Sequence, residues 1–194
     1  MNVFNQKLFL YLNSFAGQSE ALDNAIVFTA ETLGIVLLIA LIVFLLSHEH
    51  TERSGFFGMM RRGVGKGFHN IIVILASGAI AWGVARLIKT GFPVDRPFDA
   101  LDSVVPLFEP SSSGAFPSAH AAFFAATATA LYFYHKKLGV IFFVLAIAIG
   151  IARIVSGVHW PVDIVGGLIL GMVIAIFIYR LYALLMGCKK KHNA

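Results

Sequence analysis

Charge is what this chain has least of. Lys, Arg, Asp and Glu make up 13% of its 194 residues, where a soluble domain carries about 25%. So few charges cannot cover a water-facing surface, which excludes an ordinary soluble globule. Cysteine is scarce too. The single Cys188 leaves no disulfide within one chain and leaves the redox compartment open. There are no internal repeats, no low-complexity tracts and no linker long enough to separate domains, so one domain is expected. No basic stretch precedes a short apolar run at the start, so no cleaved leader is expected.

What the chain has in abundance is hydrocarbon. Hydrophobic residues reach 58% and mean hydropathy is +0.82. A helix crossing a bilayer needs about 20 apolar residues, and five stretches qualify: 24–46, 68–88, 117–135, 138–156 and 162–186. The expected fold is all-α, a polytopic membrane helix bundle. Ahead of the spans, Val3, Phe4, Leu8, Leu10, Tyr11, Leu12 and Phe15 form a short apolar pattern interrupted by Asn5, Gln6, Lys7 and Asn13. It is too short and polar to cross, and reads as an interfacial helix, with a frayed leader as the alternative. The expected layout is an interfacial helix over 1–20, a transmembrane bundle over 21–186 and a basic tail over 187–194.

The net charge of +5 would suit nucleic acid only if the cations formed a patch with interleaved aromatics. They do not; they cluster in loops beside spans. Arg53, Arg61, Arg62, Lys66, Lys136, Lys137 and Lys189–Lys191 fall in alternate loops, nine of fifteen cations on one side. Cytoplasmic loops carry that excess. The opposite, extracytoplasmic side then holds Lys7, Arg86, Lys89, Arg96 and Arg153. The expectation is a multi-pass plasma-membrane protein with its C-terminus in the cytoplasm.

Three strings on that outer side carry the chemistry: Lys89-Thr-Gly-Phe-Pro-Val-Asp-Arg96-Pro97, then Pro117-Ser118-Ala119-His120, then Arg153-Ile-Val-Ser-Gly-Val-His159-Trp-Pro-Val-Asp163. Ionisable groups beside hydrocarbon are costly and point to function. Lys89 offers a point charge and Arg96 a fork to one anion. Pro117 is expected at the first helical position, placing the backbone N–H groups of Ser118, Ala119 and His120 at a helix N-terminus that attracts anions. Asp163 lies four residues beyond His159; on one helical face, the carboxylate would fix the imidazole tautomer and leave the other nitrogen nucleophilic.

Taken singly, each string has an ordinary explanation: interfacial cations, a capping sequence with a bystander histidine, a helix-capping His–Asp pair. Together on one face they suit gripping a phosphate and passing it to an imidazole. Two histidines and an aspartate could also hold zinc, yet three neighbouring cations would repel it and no HExxH or CxxC spacing is present. No metal and no other cofactor is expected. Glu31 lies about ten residues into the first span, near mid-bilayer, and reads either as bonded to a neighbouring helix or as lining a lipid groove.

At these residues the chain resembles the type 2 phosphatidic acid phosphatase superfamily, whose pattern is Lys-x6-Arg-Pro, Pro-Ser-Gly-His and Ser-Arg-x5-His-x3-Asp. The spacing holds at Lys89, Arg96 and Pro97, at Pro117, Ser118 and His120, and at Arg153, His159 and Asp163, with Ala119 in place of the Gly and Ala152 in place of the Ser. The resemblance runs from about residue 70 to residue 180. It implies a six-helix bundle with the first helix reduced to 3–16. It also implies attack by His159 to give a phosphohistidine, with Asp163 orienting it and His120 protonating the leaving oxygen. Lys89, Arg96, Ser118 and Arg153, with the backbone at Ala119, would hold the phosphate.

Leu22-Asp23 and Thr29-Ala30-Glu31 are similar to bacterial undecaprenyl-diphosphate phosphatases, which implies an isoprenoid diphosphate substrate at the outer face. Phosphatidylglycerophosphate, phosphatidate and lipid A phosphate are the alternative substrates. A non-enzymatic lipid-phosphate binder or transporter is the alternative of another class. Soluble haloperoxidases share the anion pocket, but a chain this oily does not suit one. In each case the partners are a lipid phosphate and membrane lipids, with no nucleic acid.

Overall fold

The structure, a computed structural model, describes residues 3–51, 66–110 and 114–192, and among them every regular element is a helix. Arg53, Arg61 and Arg62 lie outside the described residues, as do the side chains of Lys66 and Lys189–Lys191. The chain is an all-α membrane helix bundle.

After α1 (Val3–Asn13), the first span runs through α2 (Glu20–Val27), a π-helical turn (Phe28–Thr32) and α3 (Leu33–Thr51). It starts at Glu20, earlier than the expected residue 24, because Ser19 caps it: the Ser19 hydroxyl accepts from Leu22 N at 3.3 Å, and Glu20 and Asp23 occupy the positive first turn. Then come α4 (Lys66–Gly91), the single turn α5 (Pro97–Ala100), α6 (Ala119–Tyr134), α7 (Lys136–Val155) and α8 (Pro161–His192). A separate tail was expected from 187; the backbone of α8 instead stays helical through Cys188 to His192.

Among the described residues, four helical stretches are long and apolar enough to cross a bilayer: Glu20–Leu45, Asn70–Gly91, Lys136–Val155 and Pro161–Leu185. The fifth expected span, α6, has 16 residues, about 24 Å at 1.5 Å per residue, against a hydrocarbon core of about 30 Å. Its place explains its oiliness. Ten of its sixteen residues are buried, seven of them alanines, and α4, α7 and α8 pack around it. A helix apolar on every side is buried on every side. The small residues permit close approach: a Cβ at Gly167 would strike the Ser118 carbonyl and Ala121, and one at Gly171 would strike the backbone of Ala122 and Ala126.

α1 is fixed by its polar residues as much as its apolar ones. Asn13 Nδ2 donates to Val155 O at 2.8 Å, and Asn5 Oδ1 accepts from Val162 N at 3.0 Å. Between them, fully buried Phe9 meets Trp160 edge-on at 4.9 Å. The same asparagines that make α1 too polar to span therefore strap it across the end of α7 and the start of α8. α4 and α7 finish at the end of the bundle where α6 and α8 begin, so the three motif strings gather there.

Gly171→Val should lower stability in detergent by about 1–3 kcal/mol through overpacking between α6 and α8, read as a fall in Tm. Gly83→Ala, where an added Cβ meets nothing within 4 Å, should leave Tm unchanged or raise it, since alanine is the better helix former by about 1 kcal/mol.

Candidate active site

His159 reaches the site from a turn, not from a helix. Arg153 lies in the last turn of α7, and Gly157 takes φ +81°, a left-handed conformation that suits glycine and reverses the chain before α8 starts at Pro161. His159 thus precedes the helix that begins at Pro161, and Asp163, the third residue of α8, reaches back to it. Its Oδ2 accepts from Trp160 N at 2.8 Å and lies 3.3 Å from His159 Nδ1. A carboxylate at this position commonly caps its own helix start, and here it also faces the imidazole. Asp163 Oδ1 is buried without a hydrogen-bond partner.

The helix start at Ser118 also differs from expectation. Pro117 precedes the cap and Ser118 is the N-cap, its hydroxyl accepting from Ala121 N at 3.4 Å. Ser118 N donates to Asp163 O at 3.0 Å. That N–H therefore joins α6 to α8 and is not free for an anion. Ala119 and His120 follow in the first turn, where α-helix geometry leaves backbone N–H groups without intrahelical partners.

Lys89, Arg96 and Arg153 are each about 95% buried or more. They arrive from the end of α4, the loop before α5 and the end of α7. Lys89 Nζ donates to Gly114 O at 3.0 Å, Arg96 Nη1 to Val158 O at 2.7 Å and Arg153 Nη1 to Ala30 O at 2.9 Å. Arg153 also lies over the Phe108 ring at 5.4 Å. Neither Lys89 nor Arg153 has a carboxylate within ion-pair distance among the described residues, and Arg153 Nε is buried without a partner.

Burying a charge without a counter-charge is expensive. Lys89, Arg96 and Arg153 all lie within electrostatic reach of His159, and among the described residues no carboxylate stands at ion-pair distance from Lys89 or Arg153. Burial, reinforced by the Arg153, Lys89 and Arg96 cations, pushes His159 well below the ordinary imidazole value of 6.5. The ring is therefore held neutral, the form that has a lone pair to give.

The π turn supplies one of these contacts. Leu33 N bonds Phe28 O, five residues back, and this wider winding turns the buried Ala30 carbonyl to Arg153. Such turns are frequent at functional sites. Glu31, next along, is exposed and within electrostatic reach of Arg153; among the described residues its carboxylate makes no hydrogen bond to a neighbouring helix. Glu31 falls near the middle of the apolar span Glu20–Leu45, as expected. It lines a cavity of about 340 Å³ with Leu38, Ala79, Trp82, His120 and Phe123.

Trp160 carries weight that the sequence did not signal. The ring is 1% exposed and its Nε1 donates to Asp95 O at 2.9 Å, tying the Arg96 loop to the His159 turn. Asn5, Phe9 and Asn13 were likewise missed as supports. Their polarity inside a short apolar run was the available clue.

Residues from the three strings thus lie within electrostatic reach of His159, with Asp163 against its ring and His120 on the wall of the cavity. Residues 68–186 match the pattern that defines the PAP2 superfamily. The chain belongs to this superfamily. It is 28% identical over 175 residues to the bacitracin transport permease protein BcrC of Bacillus licheniformis, covering 90% of this chain and 79% of that one. It is 24% identical over 182 residues to the undecaprenyl-diphosphatase BcrC of Bacillus subtilis, covering 93% and 86%. Among solved structures, Aquifex aeolicus LpxE superposes with a TM-score of 0.70 at 26% identity, covering 92% of this chain and 96% of that one. This PAP2 protein is accordingly a membrane lipid phosphatase.

The neutral state of His159 has a thermodynamic consequence. The unfolded chain takes up a proton near pH 6.5 and the folded chain does not, so this stabilisation is present above pH 6.5 and is lost as pH falls towards the lower folded value. The Tm of the wild type should therefore drop more steeply between pH 7.5 and 5 than that of His159→Gln. Parallel curves would show that the imidazole is not held neutral.

Proposed function

We propose that this PAP2 protein removes the terminal phosphate from an isoprenoid diphosphate, converting undecaprenyl diphosphate to undecaprenyl phosphate and inorganic phosphate. The His159–Asp163 pair, set inside a nest of buried cations, is the observation that carries the reading. Lys89, Arg96 and Arg153, with Ser118 and the backbone at Ala119, hold the oxygens of the phosphoryl group. Positioning and electrostatics of this kind are the larger part of catalysis in phosphoryl transfer.

His159 attacks phosphorus through Nε2 while Asp163 holds Nδ1–H. A P–N bond forms, the bond to the leaving oxygen breaks, and His120 delivers a proton to that oxygen. Water then cleaves the phosphohistidine and releases phosphate, with His120 taking the proton back. Positive charge comes from side chains, so the proposed chemistry is metal-independent. The cavity beside His120, with Glu31 on its wall, takes the first part of the lipid tail.

The excess of cations in alternate loops supports an active site on the extracytoplasmic face of the cell membrane, a cytoplasmic C-terminus, and α1 lying at the interface across the site. The name of the Bacillus subtilis relative supports the isoprenoid diphosphate. The second reading is a lipid phosphate monoester such as phosphatidylglycerophosphate, phosphatidate or lipid A phosphate, which the same cations could hold. The permease name of the Bacillus licheniformis relative fits a binder or transporter, but binding alone needs no imidazole fixed by a carboxylate.

Phosphate release from a panel of lipid phosphates by purified protein separates these readings. His159→Ala should abolish release from every substrate; undiminished release would eliminate the mechanism. His120→Ala should cost a monoester the larger part of the about 10²–10⁴-fold that acid assistance provides, and a diphosphate less, because a phosphate monoester leaves more readily than an alkoxide. Equal losses would count against His120 as the acid.

A further inference from the structure

Arg86, a cation on the site's side of the bundle, is left unused by this chemistry. Arg86 lies one turn before Lys89 on α4. Its guanidinium lies over the Trp82 ring at 4.9 Å, and among the described residues it has no carboxylate partner. It is half-buried, unlike the fully buried Lys89. Trp82 and His120 both line the cavity, and Arg86 is within electrostatic reach of both Lys89 and His120. Trp82, Arg86 and Lys89 therefore form a ladder along α4, leading from the apolar cavity to the cation nest.

A substrate threaded along that ladder has its chemistry ordered by it. The transferred phosphoryl group belongs among Lys89, Arg96 and Arg153, next to His159, and the tail belongs in the cavity past Trp82. Whatever joins the two passes His120 and Arg86. In a monoester that joint is a single neutral ester oxygen, for which a guanidinium has little use. In a diphosphate it is a second phosphate, already anionic. When the bridging P–O bond breaks, its electron pair moves onto the oxygen that stays with this phosphate, where the proton from His120 also arrives.

We propose that Arg86 is the specificity-determining residue for diphosphates: placed over the Trp82 ring, it grips the phosphate that remains on the lipid. This rests on the phosphatase reading above and names the substrate class of the same site. The ring contact matters because it restrains a guanidinium, whose planar fork can bind two phosphate oxygens at once. The competing role for a half-buried cation at a span end is general attraction to lipid headgroups. That role would not distinguish one phosphate from two.

The test compares kcat/KM of the wild type, Arg86→Gln and Arg86→Lys on a matched pair: an isoprenyl diphosphate and the isoprenyl monophosphate of the same chain length, in detergent micelles. Arg86→Gln should lower kcat/KM for the diphosphate about 10- to 100-fold, the range for a lost hydrogen bond to a charged group, and for the monophosphate less than about threefold. Arg86→Lys should recover part of the diphosphate rate. With a short soluble monoester as reporter, inhibition by inorganic diphosphate should weaken in Arg86→Gln while inhibition by orthophosphate stays the same.

Equal losses on both lipids, or no loss on either, would overturn the assignment and leave the phosphatase reading standing. A wild type that prefers the monophosphate would do the same. Phosphate release from neither lipid by the wild type would sink both.

Discussion

Three buried cations around a neutral histidine set the terms for the rest of this protein. Each of Lys89, Arg96 and Arg153 binds a backbone carbonyl, and those carbonyls belong to Gly114, Val158 and Ala30, in three separate parts of the chain. A carbonyl can orient a cation without neutralising it. At Lys89 and Arg153, which have no carboxylate at ion-pair distance among the described residues, the fold thus keeps the positive charge in place and leaves it available, a condition that favours binding of an oxyanion. The same field, with burial, keeps a proton off His159, so the cost of burying cations also maintains a nucleophile.

Holding such a nest together requires a stiff end to the bundle. The alanine-rich α6 packs among α4, α7 and α8 with glycines at the closest approaches, so the ends of four helices stay in register. Ser118 N to Asp163 O links two of the motif strings directly, and Trp160 Nε1 to Asp95 O links the third. α1 then closes over the His159 turn through Asn5, Phe9 and Asn13. Backbone carbonyls recur in these contacts as acceptors. Hydrogen bonds made there do not compete for the side-chain atoms that face the anion.

Charge and hydrocarbon are graded along α4. Trp82 faces the cavity, Arg86 lies over its ring half-buried, and Lys89 ends the helix inside the nest. The π turn carries Glu31 to the other wall of the same cavity, beside Arg153. A lipid phosphate has the same gradient from oily tail to charged head, so the protein presents a matching sequence of environments along one path.

Much of this was written in the sequence. Scarcity of charge with long apolar runs fixed the class, because few side chains other than apolar ones can face lipid. The spacing of Lys89, Arg96, Ser118, His120, Arg153, His159 and Asp163 marked the site, because ionisable groups are rare enough in such a chain to stand out. Hydropathy could not tell that α6 is lined by protein on most of its surface, since a helix buried in protein and one buried in lipid look alike to it. Nor could spacing show that Ser118 N is taken by Asp163, or that Trp160 is an internal brace. Those depend on which backbone atoms meet across distant segments, and only the packing of the helices decides that.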